Sequence, residues 1–367
     1  MNTTSLYWKT LEDINTIHFN SISTNDWINK SSNNLTNITQ NFPQPAEAYV
    51  EIFHVVSVLV PVLFSITVFL GLVGNCLVVY VISSNKRMIN STNILILNLA
   101  IADILFLVFC VPFMTAQYAL LSWPFGNICC KIVEYFVYLL ANSSVYSLVL
   151  LAIDRYFAIA KSVTALSLRT KENTFFVILV MWTAIFTLCS PILMLYEQRE
   201  LVINGMTLFV CGHAKEFLQY RVVYTTAYII FGYILPLVLI VGLYVFVLRE
   251  VNRRKNRKRQ SVTKMLVIVV GVFAVCWGPL HLISMLNALH LFPMSTATIS
   301  FGIVSHVMAY SNSCMNPILY AFLSQNFRKA FKQVLPFSKH NHRESLVHVD
   351  LTAEKTNSKR ITFPPGL

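Results

Sequence analysis

Residues 265–327 read MLVIVVGVFAVCWGPLHLISMLNALHLFPMSTATISFGIVSHVMAYSNSCMNPILYAFLSQNF, without one Asp, Glu, Lys or Arg. The polar, Pro-containing segment Asn287 to Thr298 places a turn near the middle, so the run divides into two helices. Each half can cross a bilayer, which takes about 20 mostly apolar residues. Upstream lie Val55 to Val81, Ile94 to Ile128 interrupted only by Asp103, Tyr135 to Ile153, Asn173 to Tyr196 and Val222 to Leu248, which brings the count to seven. With 56% apolar and 12% charged residues and a mean hydropathy of +0.61, the chain is too hydrophobic for a soluble domain. The expected fold class is an all-α membrane protein, a seven-transmembrane helix bundle.

Charge orients the bundle. Lys86 and Arg87 follow the first stretch, Lys161, Arg169 and Lys171 follow the third, and Arg249 to Lys264 holds eight basic residues against Glu250 alone. Positive loops stay cytoplasmic, so seven spans leave the N-terminus outside. Sequons at Asn2, Asn29, Asn34 and Asn37 fit a glycosylated outer tail, whereas Asn90 falls in a cytoplasmic loop and is expected to be unmodified. Met1 to Ala48 lacks the apolar core of a signal peptide, so the first helix is expected to act as its own signal anchor. The formal charge of +12 follows from this orientation and from anionic lipid heads, with no nucleic-acid partner required.

The expected organisation is an extracellular tail over 1–51, a membrane domain over 52–323, an interfacial amphipathic eighth helix over 324–335 and a polar cytoplasmic tail over 336–367. In the third of these, Phe327, Ala330, Phe331, Val334 and Leu335 fall at helical spacing with Arg328, Lys329 and Lys332 opposite. Of eight cysteines, Cys76, Cys110, Cys189, Cys276 and Cys314 read as packed thiols. Cys129, Cys130 and Cys211 lie outside, where a bridge from Cys130 to Cys211 would tie the second outer loop to the bundle, and spacing leaves Cys129 open as the partner. Closing that loop of 81 residues (211 minus 130) contributes at most about 4–5 kcal/mol in the chain-entropy picture.

Several motifs, one per stretch, accompany this pattern. They are Gly74-Asn75, Asn98-Leu99-Ala100-Ile101-Ala102-Asp103, Asp154-Arg155-Tyr156, Trp182, Pro236 with Tyr244, Phe273 to Pro279, and Asn316-Pro317-Ile318-Leu319-Tyr320. Together with Trp123-Pro124-Phe125-Gly126 before Cys130, they resemble the rhodopsin-like (class A) G-protein-coupled receptors over roughly Ile52 to Val334. Val60-Pro61-Val62-Leu63-Phe64, Phe109 to Phe113 and Ser305 to Cys314 narrow the resemblance to allatostatin-A receptors and the galanin and kisspeptin group.

The resemblance implies a plasma-membrane receptor for an amidated neuropeptide, coupled to a heterotrimeric G protein, often of the inhibitory Gi/o kind. It implies a sodium ion at Asp103, Ser144, Asn312 and Asn316 in the resting state, where the same residues would also serve as a hydrogen-bonded polar network. The implied activation switch comprises Asp154, Arg155, Tyr156, Tyr244, Phe273, Trp277, Pro279, Asn316, Pro317 and Tyr320, with Arg155 and Val163 meeting the G protein. Prolines in membrane helices permit pivoting kinks, since neighbours can re-satisfy the freed carbonyl. Two positions depart from the family: Arg259 stands where many members carry an acid, and Ser162 where many carry Pro. Without that second lock, measurable basal signalling is expected.

The ligand is constrained by chemistry. Val137 occupies the position of the aminergic carboxylate, and Tyr310 that of the retinal lysine. The remaining outer lining, Gln117, Trp123, Glu134, Tyr138, Tyr228, His281, Asn287 and His306, suits a peptide with an aromatic, amidated end. A lipid ligand is the alternative within signalling. Transport would need ionisable residues strung through the membrane, where Asp103 is the one formally charged residue in the central region. The chain shows no metal-site spacing and no nucleophile constellation, so an enzyme is not expected. Ser338, Ser345, Thr352, Thr356, Ser358 and Thr362 in the tail would recruit an arrestin once phosphorylated.

Overall fold

The computed structural model describes residues 46–160, 167–203, 206–253, 257–293, 295–323 and Arg328. In order, α1 is Ala46–Ser84, α2 is Ser91–Leu120, α3 is Gly126–Ala160 and α4 is Lys171–Leu195. A hairpin of β1 (Tyr196–Ile203) and β2 (Met206–His213) precedes α5 (Lys215–Arg253), α6 (Arg257–Ala288) and α7 (Thr296–Leu323). Six of the helices, α1 to α6, contain spans long and apolar enough to cross a membrane. At 28 residues α7 is also long enough, but Ser305, His306, Asn312, Ser313 and Asn316 dilute its apolarity. Those side chains are buried inside the bundle and spared contact with lipid.

Several boundaries differ from the uncharged runs. The helix α1 begins at Ala46, ahead of the expected domain start at 52. The second run extends to Ile128, whereas α2 stops at Leu120, where Leu121 adopts a left-handed conformation with φ 50°. Conversely α3 extends beyond its run at both ends, because Lys131, Glu134, Asp154 and Arg155 sit comfortably in helix near the membrane faces. The amphipathic helix expected at 324–335 (apart from Arg328), the tail 336–367, the four outer sequons, Ser162 and Val163 lie outside the described residues, as does the side chain of Arg259.

Buried polar side chains hold the helices in register. Asn75 Nδ2 donates to Gly71 O and to Ser313 O, both at 2.9 Å. Ser313 is four residues before Pro317, so Asn75 supplies the donor that the proline lacks. A Cβ on neighbouring Gly74 would lie 2.8 Å from Pro317 Cβ, so only glycine lets α1 approach the kink. Asn98 bridges three helices, donating to Ser147 Oγ on α3 at 2.7 Å and accepting from Trp182 Nε1 on α4 at 2.9 Å. Asn90 and Thr170 cap α2 and α4, each side-chain oxygen accepting from a backbone N–H at 3.1 Å.

The helix α5 contains a π turn over Ile230–Ile234, where the Leu235 N–H reaches Ile230 O, one residue before Pro236. The antiparallel hairpin pairs Tyr196 with His213 and Gln198 with Cys211. Cys211 is bonded to Cys130 with Cα atoms 5.5 Å apart, while Cys129 remains a free thiol. That bond fixes β2 over the mouth of the bundle.

Candidate functional site

The half of the bundle beneath the hairpin encloses a small cavity lined by Val137 and Tyr138 of α3, Tyr228 of α5, Trp277, Leu280, His281 and Ser284 of α6, and His306 and Tyr310 of α7. Its volume is about 20 Å³, room for a single water molecule. Tyr138, Tyr228, His281 and His306, expected from sequence, are thus brought together, and Val137 presents an apolar wall. The Tyr138 and Tyr196 hydroxyls meet at 2.9 Å, linking this group to the hairpin. Tyr196 packs in turn on His213, ring centroids 4.5 Å apart.

Ring contacts run from the hairpin to the middle of the bundle. Tyr138 meets Tyr228 at 4.6 Å, Tyr228 meets His281 at 5.6 Å, His281 meets Trp277 at 6.0 Å and Trp277 meets Phe273 at 6.1 Å. Tyr233 joins from α5, 4.5 Å from His281, and donates to Ala274 O at 2.8 Å. Ala274 neighbours Val275, whose carbonyl Pro279 cannot serve, so Tyr233 braces the α6 kink. On the α7 side, Tyr118 Oη and His306 Nδ1 lie 2.8 Å apart, and Tyr310 stacks on Phe64 at 5.4 Å.

The other four expected ligand residues lie apart from this lining. Gln117 is buried on α2 with neither amide atom hydrogen-bonded among the described residues. Glu134 is buried on α3, its Oε1 3.9 Å from Cys211 Sγ. Asn287 enters through its backbone: its carbonyl accepts from Arg221 Nη2 at 2.7 Å, which ties α5 to the end of α6. Trp123 is wholly buried in the loop between α2 and α3, with Nε1 donating to Gly126 O at 3.0 Å and the Phe125 ring at 5.1 Å. Its backbone N–H donates to Phe209 O at 2.7 Å, so it anchors the hairpin. Nearby His213 is buried at the end of β2, its ring close to the Leu195 carbonyl. Burial, aided by the Arg221 and Arg199 charges, holds its pKa well below the usual imidazole range.

Midway through the bundle, Asn316 Nδ2 donates to Asp103 Oδ2 at 2.8 Å, joining α7 to α2. Asp103 Oδ1 and Ser144 Oγ are buried, Ser313 also bears on the Asp103 carboxyl, and Asn312 is also buried. A buried carboxylate among hydroxyl and amide oxygens fits a hard cation. The Asn316 amide nitrogen does not, and it would have to turn its oxygen inward.

At the end of the bundle away from the hairpin, Asp154 is shared. Arg155 Nη2 approaches its Oδ2 at 3.8 Å. Arg169, in the loop before α4, is nearer: Nε to Oδ1 is 2.8 Å and Nη2 to Oδ2 is 3.3 Å. Thr92 Oγ1 on α2 donates to Oδ2 at 2.6 Å. The expected Asp154 to Arg155 pair is therefore the weakest of three contacts on that carboxylate, and neither Arg169 nor Thr92 carries a motif that announces it. Tyr244 and Tyr320 are buried, and Tyr156 packs on Phe246 of α5 at 4.9 Å.

The family description "7 transmembrane receptor (rhodopsin family)" matches residues 74–320. An "Allatostatin-A receptor" of Bombyx mori is 41% identical over 290 residues, which cover 77% of this chain and 80% of that protein. "Galanin receptor 2a" of Danio rerio is 36% identical over 320 residues, 84% of this chain and 86% of its own. "Galanin receptor type 1" of Homo sapiens is 35% identical over 314 residues, 83% and 88% respectively.

Proposed function

Since the chain belongs to the rhodopsin family of seven-transmembrane receptors, we propose that it converts binding of an extracellular, amidated neuropeptide of the allatostatin-A or galanin kind into activation of a heterotrimeric G protein. The observation that carries this reading is the continuous set of ring contacts from Tyr196 and Tyr138 through Tyr228 and His281 to Trp277 and Phe273. An aromatic side chain of the peptide entering this group has rings to pack on and hydroxyl and imidazole groups to bond. Displacing His281 moves the neighbours of Trp277 beside the Pro279 kink, where α6 is free to pivot.

At the other end, Arg155 is the group that turns from Asp154 toward the G protein, with Tyr244 and Tyr320 receiving it. Coupling of the inhibitory Gi/o kind, arrestin recruitment by a phosphorylated tail and residence in the plasma membrane with the N-terminus outside complete the reading. Asp103 and Ser144, with Asn312, would hold a sodium ion, which supplies a positive charge that stabilises the resting packing of α2 against α7. Asp103→Asn should then abolish the salt sensitivity of agonist binding, and retained sodium sensitivity would remove the ion from this site.

Cells expressing the chain would be challenged with amidated peptides of the allatostatin, galanin and kisspeptin types while cAMP and calcium are recorded. Silence to all three overturns the peptide reading. His281→Ala and His306→Ala should weaken binding, whereas Arg155→Ala should bind peptide and fail to signal. The reverse pattern would invert the site assignment.

A further inference from the structure

A second cavity, of about 330 Å³, opens between α2, α3 and α4 at the cytoplasmic rim. It reaches the size of a ligand site, roughly 300 Å³ and upward, whereas the outer cavity does not. Its walls are largely apolar, with Leu95, Leu150, Phe157, Phe176 and Val177 contributing, and Arg169 stands at the polar end beside Asp154. Phe176 and Val177 are exposed on the side of α4 that faces lipid, so the groove opens into the bilayer.

We propose that this groove binds an anionic phospholipid of the inner leaflet, its phosphate on Arg169 and one acyl chain along the apolar wall. Charge complementarity argues for the head. Arg169 uses Nε and Nη2 on Asp154 and Thr92, and its Nη1 has no hydrogen-bond partner among the described residues. Exposed Lys171, two residues on, adds a second positive charge at the same rim. Guanidinium geometry suits phosphate as well as carboxylate. A bound phosphate therefore competes with Asp154 for Arg169. Asp154 is then left to Arg155, which is 3.8 Å away, so the lipid favours the resting switch. Occupancy of this groove thereby regulates basal coupling from the membrane side, independently of the outer cavity.

Purified receptor in nanodiscs of phosphatidylcholine, with or without phosphatidylserine, provides the test. Retained lipid is read by native mass spectrometry and basal nucleotide exchange by a purified G protein. Wild type should retain phosphatidylserine and exchange more slowly in its presence. Arg169→Gln should lose about fivefold in retention, the share of one basic residue at an anionic surface. Val177→Trp, which fills the groove from the lipid side and leaves the ion pair intact, should lose retention while melting as wild type does. If both variants retain phosphatidylserine as wild type does, the proposal is wrong. Competition by soluble glycerophosphoserine would show an anion site without a lipid, and retention of a sterol in place of phosphatidylserine would assign the groove to a neutral occupant. Either result overturns it. None of these readouts uses the peptide, so failure here leaves the peptide reading untouched.

Discussion

Tyr196→Phe should make the receptor bind its peptide more tightly. The cavity beneath the hairpin holds about 20 Å³, far less than an aromatic side chain requires, so an entering ring must part the side chains above it. One bond that keeps them closed is the 2.9 Å contact between the Tyr138 and Tyr196 hydroxyls, both on buried residues. A neutral buried hydrogen bond contributes about 1 kcal/mol net. In the open state both hydroxyls meet water or ligand, so removing the bond penalises the closed state alone. Shifting that equilibrium by about 1 kcal/mol raises apparent affinity about fivefold. Equilibrium binding of labelled peptide to membranes carrying wild type, Tyr196→Phe and Tyr138→Phe would measure it, with His281→Ala as the variant expected to weaken. Weaker or unchanged binding by Tyr196→Phe would refute the closed-roof reasoning, since a cavity already open to the ligand gains nothing from losing this bond.

Other expectations concern the rest of the bundle. Asp154→Asn should raise basal signalling by releasing Arg155, whereas Arg169→Gln should lower it about two- to fivefold by leaving Asp154 to Arg155, the scale of a partly exposed ion pair; ligand-free nucleotide exchange separates them, and a rise in both would show Arg169 to be part of the lock. Gly74→Ala brings its Cβ within 2.8 Å of Pro317 and should destabilise the receptor by about 1–3 kcal/mol, seen as a lower melting temperature in detergent; an unchanged melt would show that α1 has room to move. The buried, neutral His213 makes stability fall on acidification: its folded pKa lies below the unfolded value of about 6.5, so the unfolded state binds more protons below that pH. Thermal melts between about pH 7 and 5 should therefore be flatter for His213→Phe than for wild type, and parallel curves would count against this origin.

The bundle was legible because each span must be apolar along its whole length. Helix ends were less so: a search that stops at the first charge loses the first turns of α3, where Lys131 and Glu134 are helical. The β1–β2 hairpin carries its signal in the sequence as Asn204-Gly205 between two short strands, the strongest local hairpin signal, in a segment expected only as a loop between two spans. Tyr138, His281 and His306 could be placed by counting helical depth from a motif on the same helix. Tyr228 is separated from Pro236 by the π turn, so its direction does not follow from that count. Arg169 and Arg221 could not be placed by counting. Their partners are Asp154, fifteen residues back, and the Asn287 carbonyl, sixty-six residues on, and only the packing of the folded bundle brings them together.

The π turn over Ile230–Ile234 also changes how the chain is to be aligned. A π turn accommodates one more residue than the α-helical turn it replaces, and each residue in a helix corresponds to about 100° of rotation. Outward of the turn, Tyr228 therefore points where a regular helix counted back from Pro236 would have placed its sequence neighbour. Any gap-free comparison of α5 with a receptor that lacks the turn would pair this tyrosine with a residue facing another direction. Helix-5 substitutions carried over from such a receptor are best counted separately on each side of residues 230–234, as though the helix were two.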